Sequence, residues 1–414
     1  MDYITSKNRE KLTNEPYVLS NSELREMIRQ NHLDIEETKR VTESSKRGET
    51  YYSNDGHPGS EKMSDNQMAF FKEVLYRDRK TDGFIMQYPH GTVICQGTHN
   101  SYYRGENQIY DSTQPSIYRS LKKLTQEEKK LYRFVADMRI AEFRIFISKL
   151  GIVQFWQENY GTVLYEPLAQ HYGIETEWLD ITSNFDVALF FATCRYDSAG
   201  KQWRPLTKAD TEVNERTRYG VIFHIPGWQA ETTQITAVLT EDFASNAILP
   251  IGYQPFMRCH SQYGYGICMK KPFPLQDDCT FEKLRFRHDE DFSREIFERM
   301  DCGKKIYPQE GLEQFDDIIG KIKKTAIFST EAYRIALEKN RDASDTDIRE
   351  LIKECDCKRI FGSEIIITDE EPIKVSRQRI RACNRRYEGF SIEKNYGIKL
   401  FTRMTLPRRI RDTI

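Results

Sequence analysis

The run from Glu166 to Ala192 constrains this chain more than any other segment. It opens on a short helix, Glu166–His171, which His171, Tyr172 and Gly173 bring to an end; Gly173 is placed to take the left-handed turn that closes helices. Glu175 to Leu179 then reads as a short crossing strand. Asp180, Thr182, Ser183 and Asn184 are all residue types that cap helix N-termini, and an apolar helix, Phe185–Thr193, follows at once. Such a start aims free backbone N–H groups and a hydroxyl at one point, an arrangement suited to a phosphate or polar ligand. Read from spacing alone, Thr182 or Ser183 simply caps a core helix.

Around this segment the texture is that of a mixed fold. Phe84–Met86, Val93–Cys95, Ser101–Glu106, Gly220–Ile225 and Gly264–Met269 read as strands, with Pro226 as a stop. Thr125–Ser148 is a long helix with Leu131, Phe134, Met138, Phe143 and Ile147 at helical spacing. Upstream, Leu24 to Ile35 makes one short amphipathic helix, and the hydrophilic run Thr42–Asn66 reads as a linker. Downstream come charged helices around Glu331–Lys339 and Asp347–Glu354 and an apolar strand, Glu364–Thr368. The expected organisation is a polar, partly helical arm at 1–82, a main domain at 83–320 and a C-terminal extension at 321–414 with a basic end.

Composition removes several classes. The 414 residues carry 62 Lys+Arg against 63 Asp+Glu, a net charge of −1, so the whole chain has no basic footprint for nucleic acid. Aromatic residues make up 12%, enough ring area to argue against disorder. No run approaches the roughly 20 apolar residues of a membrane span, and Met1, Asp2 and Tyr3 do not open a secretory signal. A cytoplasmic protein without membrane contact is expected. Nine scattered cysteines fit reduced thiols; Cys355 and Cys357 form a C-x-C pair with no second pair nearby, so no metal is expected. The P-loop, zinc-protease and serine-hydrolase signatures are absent.

Tyr103–Arg104–Gly105, followed by Gln170–Gly173, Leu179–Thr182, Ala188 and Phe191–Ala192, resembles the FRG domain family, named for its Phe/Tyr-Arg-Gly motif. Arg258 with Gln262–Gly266 resembles that family's late Gln-x-Gly strand, and Ile296–Met300 with Gly303 and Ile306–Pro308 resembles its closing helix, so the likeness spans about 85–320. An aromatic-Arg-Gly strand with a Thr/Ser turn feeding a helix is similar, more weakly, to the Arg–Ser–Glu class of ADP-ribosyltransferases. The resemblance implies an α+β fold: a mixed, mostly antiparallel sheet split around a cleft, flanked by helices. It also implies NAD as substrate, and a toxin or defence effector that transfers or cleaves ADP-ribose, acting on a protein or nucleic-acid target.

Under that resemblance Arg104 would grip the pyrophosphate by fork-like hydrogen bonds. Gly105 would let the ligand approach the chain, one of Tyr102 and Tyr103 would stack on a ring, and Thr182 and Ser183 would line the nicotinamide side. The class also needs a late catalytic Glu, and this chain has Gln262 there, a neutral amide that supplies no charge. Glu106 can replace it, since strand alternation puts Arg104 and Glu106 on one face; otherwise it is a surface carboxylate paired with a lysine. His171 is a candidate base or ligand donor, or else a helix-end histidine satisfied by carbonyls. Asp180 can orient His171 or Arg104, or cap the Phe185 helix. Arg377, Arg379, Arg381, Arg385, Arg386, Arg408, Arg409 and Arg411 with Tyr387 and Phe390 offer phosphate and stacking contacts for nucleic acid, but a solvated face balanced by the acidic Asp369–Glu371 is the favoured reading. The alternative function is a non-catalytic module whose cleft binds a nucleotide or nucleic acid while this basic segment docks a partner. Nothing in the sequence gives the oligomeric state.

Overall fold

The computed structural model describes residues 18–46, 83–88, 91–95, 101–200, 202–227, 248–269, 273–278, 280–308, 311–391 and 400–404. Its centre is a seven-stranded sheet. In chain order the strands are β1 (Val18–Leu19), β4 (Ser101–Glu106), β5 (Trp178–Thr182), β8 (Tyr219–Pro226), β9 (Ile248–Pro250), β10 (Gly264–Cys268) and β11 (Glu282–Arg287). Across the sheet the order is β1-β11-β8-β4-β5-β10-β9. β1 runs parallel to β11 and every other neighbour is antiparallel, so the α+β class with a mixed, mostly antiparallel sheet stands. The remaining strands form small satellites: β2 (Gly83–Tyr88) and β3 (Gly91–Cys95) with β14 (Leu400–Met404), the hairpin β6 (Cys194–Asp197) and β7 (Gln202–Pro205), and β12 (Ile327–Ser329) with β13 (Ile366–Thr368).

Both sheet faces are covered, which is why β8 reads as an almost unbroken apolar run. The side chains of β4 alternate across the two covers. Tyr103 turns to a cluster with Phe185, Leu189, Ile222, Leu284 and Phe286. Tyr102 turns to one with Tyr118, Leu179, Ile181, Phe223 and Tyr265. The first cover holds α1 (Asn21–Lys46), α6 (Phe185–Thr193) and α8 (Glu290–Arg299); the second includes α2 (Ser116–Leu121) and part of α3 (Gln126–Ile147). α3 starts on a full capping box, Thr125 with Glu128. Against it the helices α10 (Thr330–Lys339) and α11 (Asp345–Glu354) bury Tyr333 and Ile348 beside Phe134 and Met138.

Gly105 owes its identity to this layering. A Cβ built on it would lie 1.7 Å from the carbonyl oxygen of Ala188. The glycine is therefore required by the passage of α6 directly over β4, and that face is closed to a ligand.

Two further expectations change. The upstream helix is longer than Leu24–Ile35, running Asn21–Lys46. Its Leu24, Met27 and Ile28 are buried in the first cover; Asn31 Oδ1 accepts the Phe185 N–H at 3.3 Å, and His32 Nε2 meets Asp186 Oδ2 at 2.7 Å. The rest of the expected linker, 47–66, lies outside the described residues. Just beyond α13 (Arg377–Arg386), Phe390 is 8% exposed and packs with Tyr387, Trp156 and Phe155, so its ring is taken up by the core, while Tyr387 is partly exposed. Arg379 makes a two-pronged pair with Asp317, at 3.0 and 2.6 Å. Arg408, Arg409 and Arg411 lie outside the described residues. Among the described residues no helix is long and apolar enough to cross a membrane, and no three His, Cys, Asp or Glu side chains gather as metal ligands.

Candidate functional site

β4 and β5 share a single ladder pair, Tyr103 with Thr182. Beyond it the strands part, and a cavity of about 390 Å³ opens in the gap, within the size range of small-molecule sites. Arg104 and Glu106 reach it from β4 and Asp180 and Thr182 from β5. His171 comes from the end of α5 (Tyr165–His171), and Gln262 follows α7 (Met257–Ser261). Tyr103 and Gly105 also border it, so the NAD-site candidates of the sequence, Tyr102 and Ser183 excepted, line one cavity. Ser183 is buried outside it, and its Oγ has no hydrogen-bond partner among the described residues.

The Arg104 guanidinium bridges the parted strands. Nη1 donates to the Asp180 carbonyl at 2.7 Å and Nε donates to Glu106 Oε1 at 3.1 Å. With the Nε edge occupied, a ligand anion can be gripped only from the Nη side, and Nη2 makes no hydrogen bond among the described residues. Glu106 is not a surface carboxylate beside a lysine. Its side chain is 6% exposed, and its second oxygen accepts the Thr113 hydroxyl at 2.8 Å. Gln276 in turn fixes Thr113 through its N–H and its hydroxyl, at 2.7 and 2.8 Å. Both Glu106 oxygens are thus spoken for.

The opposite wall is different. Gly173 takes its expected left-handed turn, φ 76°, and leaves His171 as the last residue of α5. His171 Nδ1 lies 3.0 Å from Gln262 Oε1, and Gln262 Nε2 donates to the Ile306 carbonyl at 3.4 Å. Gln262 is not on a strand: it is the C-cap of α7, before β10 begins. Asp180 caps nothing; its Oδ1 stands 3.9 Å from His171 Nε2. Thr182 donates to the Gln262 carbonyl at 2.8 Å and accepts the Asn184 N–H at 3.0 Å, while Asn184 itself caps α6 through the Val187 N–H. The Thr182 hydroxyl therefore holds the turn together.

Sequence reading missed the aromatic wall. Trp203 on β7 and Tyr307 stack at 5.3 Å and 19°, with Phe191 edge-on to the indole at 5.7 Å. Burial pushes the Tyr307 phenol well above its ordinary range. Tyr102 and Tyr103 are core rings, 7% and 4% exposed. At the cavity Arg195 pairs with Asp210 at 2.8 Å, whereas the exposed Arg119 makes no ion pair among the described residues. The β6–β7 hairpin was legible only as a Gly200 turn between two four-residue polar stretches containing one tryptophan.

Residues 99–201 match the family model of the FRG domain. The chain contains an FRG domain. The matched segment supplies β4, α5, β5 and α6, and so the Tyr-Arg-Gly strand, His171, Asp180 and Thr182; Gln262, Trp203 and Tyr307 come from beyond its end. No curated protein and no solved structure matches the chain. Within the FRG domain, the glycine of the Tyr-Arg-Gly motif is explained by α6 and the arginine by the gap between β4 and β5.

Proposed function

We propose that the cleft of this FRG domain binds NAD or a closely related nucleotide, and that the protein breaks the nicotinamide–ribose bond to transfer or release ADP-ribose. The observation that carries the reading is the meeting of Arg104 with the Asp180–Thr182 strand, 76 positions away from Arg104 at Asp180, at one cavity in a parted sheet. A guanidinium with a free amino group suits a phosphate, and the Trp203–Tyr307 wall suits a planar ring. The negative charge that the transferase resemblance assigns to a late glutamate falls here to Asp180. It is the cavity carboxylate with an oxygen free of hydrogen bonds, since Glu106 is committed to Arg104 and Thr113.

The test is calorimetric titration of NAD and ADP-ribose, with chromatographic assay of nicotinamide. Wild-type protein is expected to bind NAD and release nicotinamide, and Arg104→Ala to weaken binding at least about tenfold, the scale of one charge-assisted contact. Equal NAD affinity in the folded Arg104→Ala protein, or no binding by the wild type, overturns the reading.

A further inference from the structure

Two polar atoms in the cleft are left unsatisfied by the protein itself. His171 Nε2 and Asp180 Oδ1 are both buried, neither has a hydrogen-bond partner among the described residues, and they face each other at 3.9 Å. Buried polar atoms are normally paired, and one left unpaired carries the full cost of its lost hydration. Two in opposition mark a place shaped for a group that is not part of the chain.

The hydrogen bonds around them say what that group is. Because Gln262 Nε2 is turned to the Ile306 carbonyl, its oxygen faces the imidazole, and the imidazole proton sits on Nδ1. Nε2 then offers a lone pair, and Asp180 Oδ1 offers another. Two acceptors so close call for a partner that donates two protons. A single atom about 2.8 Å from each would see them about 90° apart, near the angle between the two O–H bonds of water. Space points the same way: the His171 side chain is 2% exposed and that of Asp180 36%, so the group is small and enters past the carboxylate.

We propose that His171 and Asp180 seat and activate a water molecule, making the cleft hydrolytic toward NAD. This rests on the reading that the cleft takes NAD. The bond between ribose C1′ and the nicotinamide nitrogen breaks, and its electron pair leaves with nicotinamide, which departs neutral. The Asp180 carboxylate opposes the positive charge that develops on the ribose. The water oxygen forms the new bond to C1′; one of its protons passes to His171 Nε2 and on to solvent, and the other stays in the new hydroxyl. NAD⁺ and water thus become ADP-ribose, nicotinamide and a proton.

The experiment uses the full chain with NAD, with and without added histones and RNA as acceptors. Nicotinamide, free ADP-ribose and macromolecule-bound ADP-ribose are all measured. Free ADP-ribose is expected to equal nicotinamide in every mixture, a result that needs no variant to fold. His171→Ala and Asp180→Asn are expected to keep NAD affinity within a few-fold and to lose about 100-fold or more in turnover, the scale of general base catalysis. Added imidazole is expected to restore part of the rate to His171→Ala alone. Nicotinamide release with ADP-ribose retained on an acceptor overturns the water proposal and leaves NAD binding intact, as do variants that turn over at the wild-type rate. Absence of NAD binding by the wild type overturns both readings together.

Discussion

Gly105, Arg104 and His224 show how single positions on neighbouring strands carry different loads. Replacing Gly105 by alanine drives a methyl group into the Ala188 carbonyl, so α6 must move. The expected cost is about 1–3 kcal/mol or more, the range for forcing extra volume into a filled core, read as a lower urea midpoint. Behind Tyr103, fully buried His224 stacks on its ring and is held by Glu282 at 2.7 Å and Ser101 at 3.0 Å. Glu282→Ala leaves the imidazole N–H without an acceptor, and a loss of about 1–3 kcal/mol is expected by the same measurement. A midpoint within error of wild type would show that the network adds nothing. At this scale the sequence told a good deal. Period-two alternation placed Arg104 beside Glu106, and helix-end chemistry placed Gly173. Gln262 was misplaced because Gln262–Gly266 looks like strand, and nothing local announces that a helical turn ends on that glutamine.

Among the elements, α1 lies outside the matched segment yet packs directly on it. It buries Leu24, Met27 and Ile28 and satisfies the first N–H of α6 through Asn31. Deleting residues 1–33 strips that cover, and a fall in melting temperature of several degrees, with aggregation on concentration, is expected from exposed Phe292, Ile296 and Phe286. Asn31→Ala alone is expected to cost about 1 kcal/mol, as for loss of a helix cap. Elements with strong local signals, such as α3 and α6, were legible almost to the residue. The β6–β7 hairpin was not, because its strands are four residues long and rich in charge, and only the packing of Trp203 against Phe191 and Tyr307 makes it a wall.

For the whole molecule, pH enters through two histidines, His260 and His288. Burial pulls both His260 and His288 down from 6.5 to about 4. Between those values the unfolded chain takes up protons that the native state refuses, so stability falls as pH drops from about 6.5 toward 4. The urea midpoint is expected to decrease between pH 7 and pH 5.5, above the range where most carboxylates titrate, and His288→Gln is expected to flatten that slope. A midpoint unchanged over that interval would contradict the lowered proton affinity of both rings. Strand order was the least legible property. It depends on β8 returning beside β4, and on β5 meeting β4 at one pair only, and both are settled by packing between distant segments.

The parting of β4 from β5 has a mechanical consequence. Past Tyr103 and Thr182, the guanidinium of Arg104 stands in for backbone hydrogen bonding between two halves of the sheet. An anion that drew this group away from the Asp180 carbonyl would loosen the seam at its weakest point. Occupancy and the rigidity of the central layer are then coupled through one side chain, and amide hydrogen exchange along that seam would register a guest even when no bond is broken.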